Sequence, residues 1–173
     1  MIVSAGNREG TRVSTELYET DFYSWTRQQA RELRGLARSR WNGPLDLRHL
    51  AEEVEDLGRS ERDAVRSHLR TVIEHCLKLE YSPTQSPRGD WLVSVTHARV
   101  ALQDKLTRTL RRDATIHLDR IYGQARLQAA AGLRAHGEIE AARALPETCP
   151  YPLEQLLAAE WSPANRHGLV DEA

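Results

Sequence analysis

Glu61, His68 and His75 stand seven residues apart in one segment of the chain. Seven residues bring a helix almost back to the same face, so the three share an arc with Leu50, Val54, Leu57, Ala64, Val72 and Leu79. The same projection sets Arg99 among Leu92, Val95, Leu102 and Leu106, and Gln29 between Trp25 and Leu33. Polar groups on apolar faces admit two chemistries. An uncompensated buried charge is costly, so a core carboxylate and a core guanidinium are expected to find each other. That predicts a Glu61 to Arg99 pair with His68 or His75 completing a buried network. The alternative is a site on facing helices in which His68, His75, Glu53 and Glu61 hold a divalent metal ion for hydrolase-like chemistry.

Spacing favours the network. Seven helical residues separate side chains by about 10 Å along the axis, whereas ligands from one helix to a single ion sit three or four residues apart. No Glu in the chain is followed by His three residues later, which removes the diiron signature. Asp46, His49 and Glu53 do have short spacings, but at the start of a helix a capping carboxylate and a dipole-favourable acid account for them. No catalytic residue is assigned, and no cofactor is expected. His97, His117, His136 and His167 fall off the apolar stripes and read as solvated. Cys76 reads as a small core residue, while Cys149, in a Pro-rich loop, is the thiol that exposure would make reactive. Glycine-rich phosphate loops, HExxH, CxxC and GxSxG are absent.

The elements that must position these residues are helical. Ala, Leu, Arg and Glu make up 80 of the 173 residues, types that lose little side-chain entropy in a helix. Tyr18, Phe22, Trp25, Leu33 and Leu36 predict a first helix from about Leu17 to Trp41, stopped by Asn42-Gly43-Pro44. A second runs from Asp46 as cap to Tyr81, with a kink or break expected at Gly58-Arg59-Ser60. The stretch from Ser82 to Gly89 is a loop. A third helix starts at Trp91 behind Asp90 and carries its stripe to Leu110. A fourth spans Leu118 to Leu133, with Gly137 marking its end or the helix continuing to Ala144. After the prolines of PETCPYP, Pro152 opens a short clamp helix packed by Leu153, Leu156 and Leu157.

The expected architecture is all-α: a single antiparallel helical bundle of about four to five helices over residues 16–162. Residues 1–15 and 163–173 are expected as flexible tails. A formal charge of -1 and a pI near 6.7 remove the compositional case for nucleic-acid binding. Only Lys78 and Lys105 are lysines, and the arginines are interleaved with acids. Two cysteines do not make a disulfide framework, and no run is long and apolar enough for a membrane span. These point to a cytoplasmic chain without a membrane partner.

The runs LYETDFYSWTRQQARELR (17–34), LAEEVEDLGRSER (50–62), HCLKLEYSP (75–83), Trp91 with Arg99, and PETCPYPLEQLL (146–157) resemble the bacterial family called domain of unknown function 29. The blocks keep order and spacing from about residue 17 to 160 and include Glu61, His75 and Arg99. The resemblance implies a compact all-α fold and brings no catalytic assignment with it. The functional expectation is a structural or protein-interaction module, self-associating or bound to an unknown protein partner. The clamp helix and Trp41 or Trp161 are its candidate anchors.

Overall fold

The computed structural model describes residues 15–39 and 41–170. Apart from Thr15, the expected N-terminal tail lies outside them. Among the described residues the protein is all-α, with no strand. Residues 15–20 are helical, and Asp21 then interrupts the chain and caps α1, Phe22–Arg38: its Oδ1 accepts from Ser24 N at 3.0 Å and its Oδ2 from Ser24 Oγ at 2.8 Å. The predicted single helix from Leu17 is therefore divided, because an Asp with a Ser three residues on satisfies the first orphan N–H of a new helix.

Helix α2, Leu47–Tyr81, is continuous for 35 residues and passes straight through Gly58. The expected break does not form. A Cβ at Gly58 would collide with Thr26 Oγ1 of α1, and Thr26 is fully buried with its hydroxyl donating to Tyr23 O at 2.8 Å. The glycine permits close helix approach and is not a stop signal. Asp46 caps this helix as expected, accepting from His49 N at 3.2 Å, and its second oxygen pairs with His49 Nδ1 at 2.5 Å.

Helix α3 runs Arg88–Lys105 and α4 Arg108–Ile116. The stripe expected to reach Leu110 in one helix is broken at Leu106-Thr107, where Thr107 Oγ1 accepts from Leu110 N at 3.3 Å and starts the new helix. Helix α5, Leu118–Ala135, ends on Gly137 at φ +80°, with Gly137 N bonded to Arg134 O at 3.0 Å and Glu138 N to Leu133 O at 2.9 Å. That pair of bonds with a left-handed glycine is a Schellman motif. Short helices α6, Ile139–Ala144, and α7, Leu153–Leu157, follow; α7 buries Leu153 and Leu156.

The chain groups into two compact units. Unit 1 is residues up to 64 with 107–111, where Leu47, Ala51, Thr26 and Ala30 are buried and the rings of Tyr18, Phe22 and Trp25 meet at centroid distances of 4.8 to 5.6 Å. Unit 2 is residues 65–106 with 112 onward, and its core contains Leu69, Val72, Ile73, Cys76, Leu77 and Leu79 of α2 with Leu102, Tyr122, Leu133 and Leu156. No linker composition marks the division because α2 and α4 each run through it.

Candidate functional site

The buried stripe of α2 runs through Leu47, Ala51, Gly58, Val65, Leu69, Val72, Cys76 and Leu79. At 100° per residue this is centred about 60° from the arc through Leu50 and Leu57, and those two leucines are 40% and 53% exposed. The small residues Ala51 and Gly58 carry the true face. Glu61, His68 and His75 consequently lie on its border and are half-buried. Glu53 is exposed. Among the described residues no group of three or more His, Cys, Asp and Glu side chains could hold a metal ion, so the set His68, His75, Glu53 and Glu61 is not assembled as one.

Arg99 is buried in unit 2, 5% exposed, and its guanidinium is answered by backbone carbonyls where a carboxylate was expected. Nε donates to Leu156 O at 2.9 Å, and Nη1 donates to Trp161 O at 2.8 Å and Ala159 O at 3.2 Å. Its Cζ lies 6.0 Å from the centroid of the Trp161 ring, which itself meets Tyr151 edge-on at 5.3 Å. Nη2 is buried without a partner, and burial lowers the guanidinium's pKa. Carbonyl dipoles aimed at one cation replace the expected Glu61 pair, and the segment after α7 is fastened to α3 by this side chain. Periodicity located Arg99; it has no signal for carbonyl partners some 60 residues later.

A second polar cluster closes the end of α2. The last carbonyls of a helix lack intrahelical donors, and here each finds one. Lys78 O accepts from Ser82 N at 2.9 Å, Leu79 O from Arg88 Nη1 and Asn165 Nδ2 at 2.7 Å each, Glu80 O from Arg166 N at 2.9 Å and Tyr81 O from His167 Nε2 at 3.2 Å. The Glu80 side chain accepts from Tyr151 Oη at 2.6 Å and from Arg166 Nε at 2.9 Å, and the Arg166 guanidinium stacks over Tyr81 at 4.2 Å. Cationic donors at a helix C-terminus also suit its dipole. Residues 165–167, expected within a tail, are thus held by α2, and His167, expected to be solvated, binds a carbonyl.

Burial disfavours the thiolate at both cysteines. Cys76 is fully buried and burial pushes it up to about 12. Cys149 is half-buried, donates to Tyr151 O at 3.3 Å, and burial raises its pKa too. Its surroundings raise the thiol's pKa, contrary to what a reactive cysteine needs. Burial lowers the pKa of His75, which holds the imidazole neutral, and its Nδ1 is buried without a partner.

Among the described residues each unit has a concave feature. In unit 1 a groove of about 480 Å³ is lined by Arg27, Arg31, Arg34 and Arg38 with Glu32, Gly35 and Glu55. Steps of four, three and four put these arginines on one face of α1, and Arg34 Nη2 meets Glu55 Oε2 at 2.5 Å. In unit 2 a cleft of about 220 Å³ is lined by Lys78, Pro87, Asp90, Trp91, Gly132, Leu133, His136 and Glu138. Sequence reading assigned neither, because each is assembled from residues that individually read as solvated face or helix end.

The sequence profile of the family described as Domain of unknown function DUF29 matches residues 17–162. The chain belongs to this family. An α-helical protein of unknown function from Rhodospirillum rubrum, known from its crystal structure, is 31% identical to this DUF29 chain, with 84% of this chain and 91% of that one covered and a TM-score of 0.74. No curated protein matches the chain. The DUF29 match takes in Arg99, its carbonyl partners and both concave features, and leaves out Asn165, Arg166 and His167.

Proposed function

We propose that this DUF29 chain is a helical interaction module, an antiparallel bundle of bacterial cytosol that pairs with a second copy of itself through unit 1. One observation carries the reading: Leu50 and Leu57, seven residues apart on one face of α2, are exposed, as are Leu36, Trp41 and Leu45 of the same unit. An exposed apolar pair on one helix face is the kind of feature that marks an association site. The same unit has exposed charges of both signs, with Glu52, Glu53 and Asp56 on α2 and Arg27, Arg31 and Arg38 on α1. A two-fold contact sets a surface against its own copy, so acids and arginines of one unit can meet across the axis. Trp161 is less suited as an anchor, since its ring is already packed on Tyr151.

Both thiols are free, and among the described residues no helix is long and apolar enough to cross a membrane, which supports the cytosolic placement. Multi-angle light scattering across a concentration series tests the pairing. A mass moving toward twice 19.7 kDa is expected. Leu57→Glu, at a position outside the core, is expected to return the protein to monomer with helicity unchanged. A strict monomer at the highest concentration overturns the reading.

A further inference from the structure

The cleft of unit 2 has a wall chemistry of its own. Lys78 is 11% exposed in its side chain and donates to Glu74 Oε1 at 2.5 Å, so its charge is answered within α2. It lies flat against Gly132 of α5, where an added Cβ would come within 2.9 Å of both Cε and Nζ. Opposed to that neutralised pair are two further carboxylates, Asp90 in the first turn of α3 and Glu138 just beyond α5. Glu138 is fixed in place by the Schellman bond from its N–H to Leu133 O, and its Oε2 is buried with no hydrogen-bond donor. His136 Nδ1 is 2.8 Å from Gly132 O. A carbonyl can only accept, so Nδ1 carries a proton. Trp91, half-buried, adds an aromatic wall.

Negative charge therefore exceeds positive in a space of about 220 Å³. A hard divalent ion would need several oxygens around one point, and no such group exists among the described residues. An organic cation needs less convergence: one or two carboxylates for its N–H groups and an aromatic face for its charge and methylenes. We propose that the Lys78–Trp91–Glu138 cleft binds a small organic cation, a primary amine or guanidinium, with its charge at Glu138 and Asp90 and its carbon chain against Trp91. This is independent of self-pairing, which uses unit 1.

Isothermal titration of the full chain with 1,4-diaminobutane tests it, with 1,4-butanediol as uncharged isostere and magnesium chloride as metal control. NMR follows the four indole N–H signals, that of Trp91 being identified as the one lost in Trp91→Phe. The diamine is expected to bind at one site and move the Trp91 signal ahead of the other three. Glu138→Gln is expected to weaken binding about tenfold, the effect of losing one charge-assisted hydrogen bond, with an unchanged melting temperature. Asp90→Asn, exposed in the first turn of α3, supplies a second reading should Glu138→Gln unfold. The proposal is overturned by absent binding above about 1 mM diamine, by equal binding of the diol, by affinity indifferent to both carboxylate variants, or by magnesium alone reproducing the Trp91 shift.

Discussion

Arg99 replaces a textual expectation of charge pairing with a different solution to the same problem. A guanidinium has five N–H donors and cannot shed its proton, so a buried one must be met by acceptors, and three carbonyls of one segment do this at 2.8 to 3.2 Å. Arg99→Met keeps the volume of the stem and removes every donor. The carbonyls of Leu156 and Trp161 then lose their partner, and a loss of about 2–4 kcal/mol is expected in urea unfolding. A change under a few tenths of a kcal/mol would show that the carbonyls find water instead. His75 is a residue-scale test of pH. Its folded-state pKa lies below the ordinary 6.5, so the unfolded chain binds the proton more tightly. Stability from this group is complete above that ordinary value and is lost as pH falls through it toward the folded value. The melting temperature is expected to fall over that window, and His75→Gln is expected to flatten the slope.

At the scale of the element, α2 is where sequence and structure part company most. Its ends were legible, since Asp46 and the Ser82-Pro83 turn have local signatures, and so were α5 and the short α7, whereas Gly137 was only one of two possible ends for α5. The face of α2 was not legible. Leu50 and Leu57 are the larger apolar residues, and a projection weighted by them rotates the stripe away from Ala51 and Gly58, where the helix touches its neighbours. Small residues mark close packing only when the partner helix is known. The contact at Gly58 is measurable: Gly58→Ala removes a helix-interior glycine, which by propensity alone stabilises by about 1 kcal/mol. Against Thr26 Oγ1, which is held by its bond to Tyr23 O, the methyl group must displace packed structure at a cost of roughly 1–3 kcal/mol. Net destabilisation is expected in thermal unfolding, and the double variant Gly58→Ala/Thr26→Ala is expected to recover part of it. If Gly58→Ala alone raised the melting temperature, the close approach would be refuted.

For the whole molecule, all-α character was legible from composition, and the division into two compact units was not, because the boundary falls inside continuous helices. The candidate sites were legible only as scattered polar residues: a stripe finds Arg99, but a cleft drawn from α2, α3 and the end of α5 has no signature in one dimension. The two halves of α2 are expected to differ in dynamics. From residue 69 to 79 six side chains are buried and none is exposed, whereas Leu50 and Leu57 face outward. Amide exchange is expected to be slowest from Leu69 to Leu79 and faster by orders of magnitude before Gly58; uniform protection along the helix would contradict this. The cap at the end of α2 has a further consequence, for synthesis on the ribosome. Arg88 follows Leu79 by nine residues and can serve its carbonyl early, but Asn165 follows by 86. At roughly 5–20 residues per second, several seconds separate the appearance of that carbonyl from the arrival of its second donor. The nascent chain carries a long amphipathic helix with an unfinished end throughout that interval, and the cap closes only once residues 165–167 have emerged.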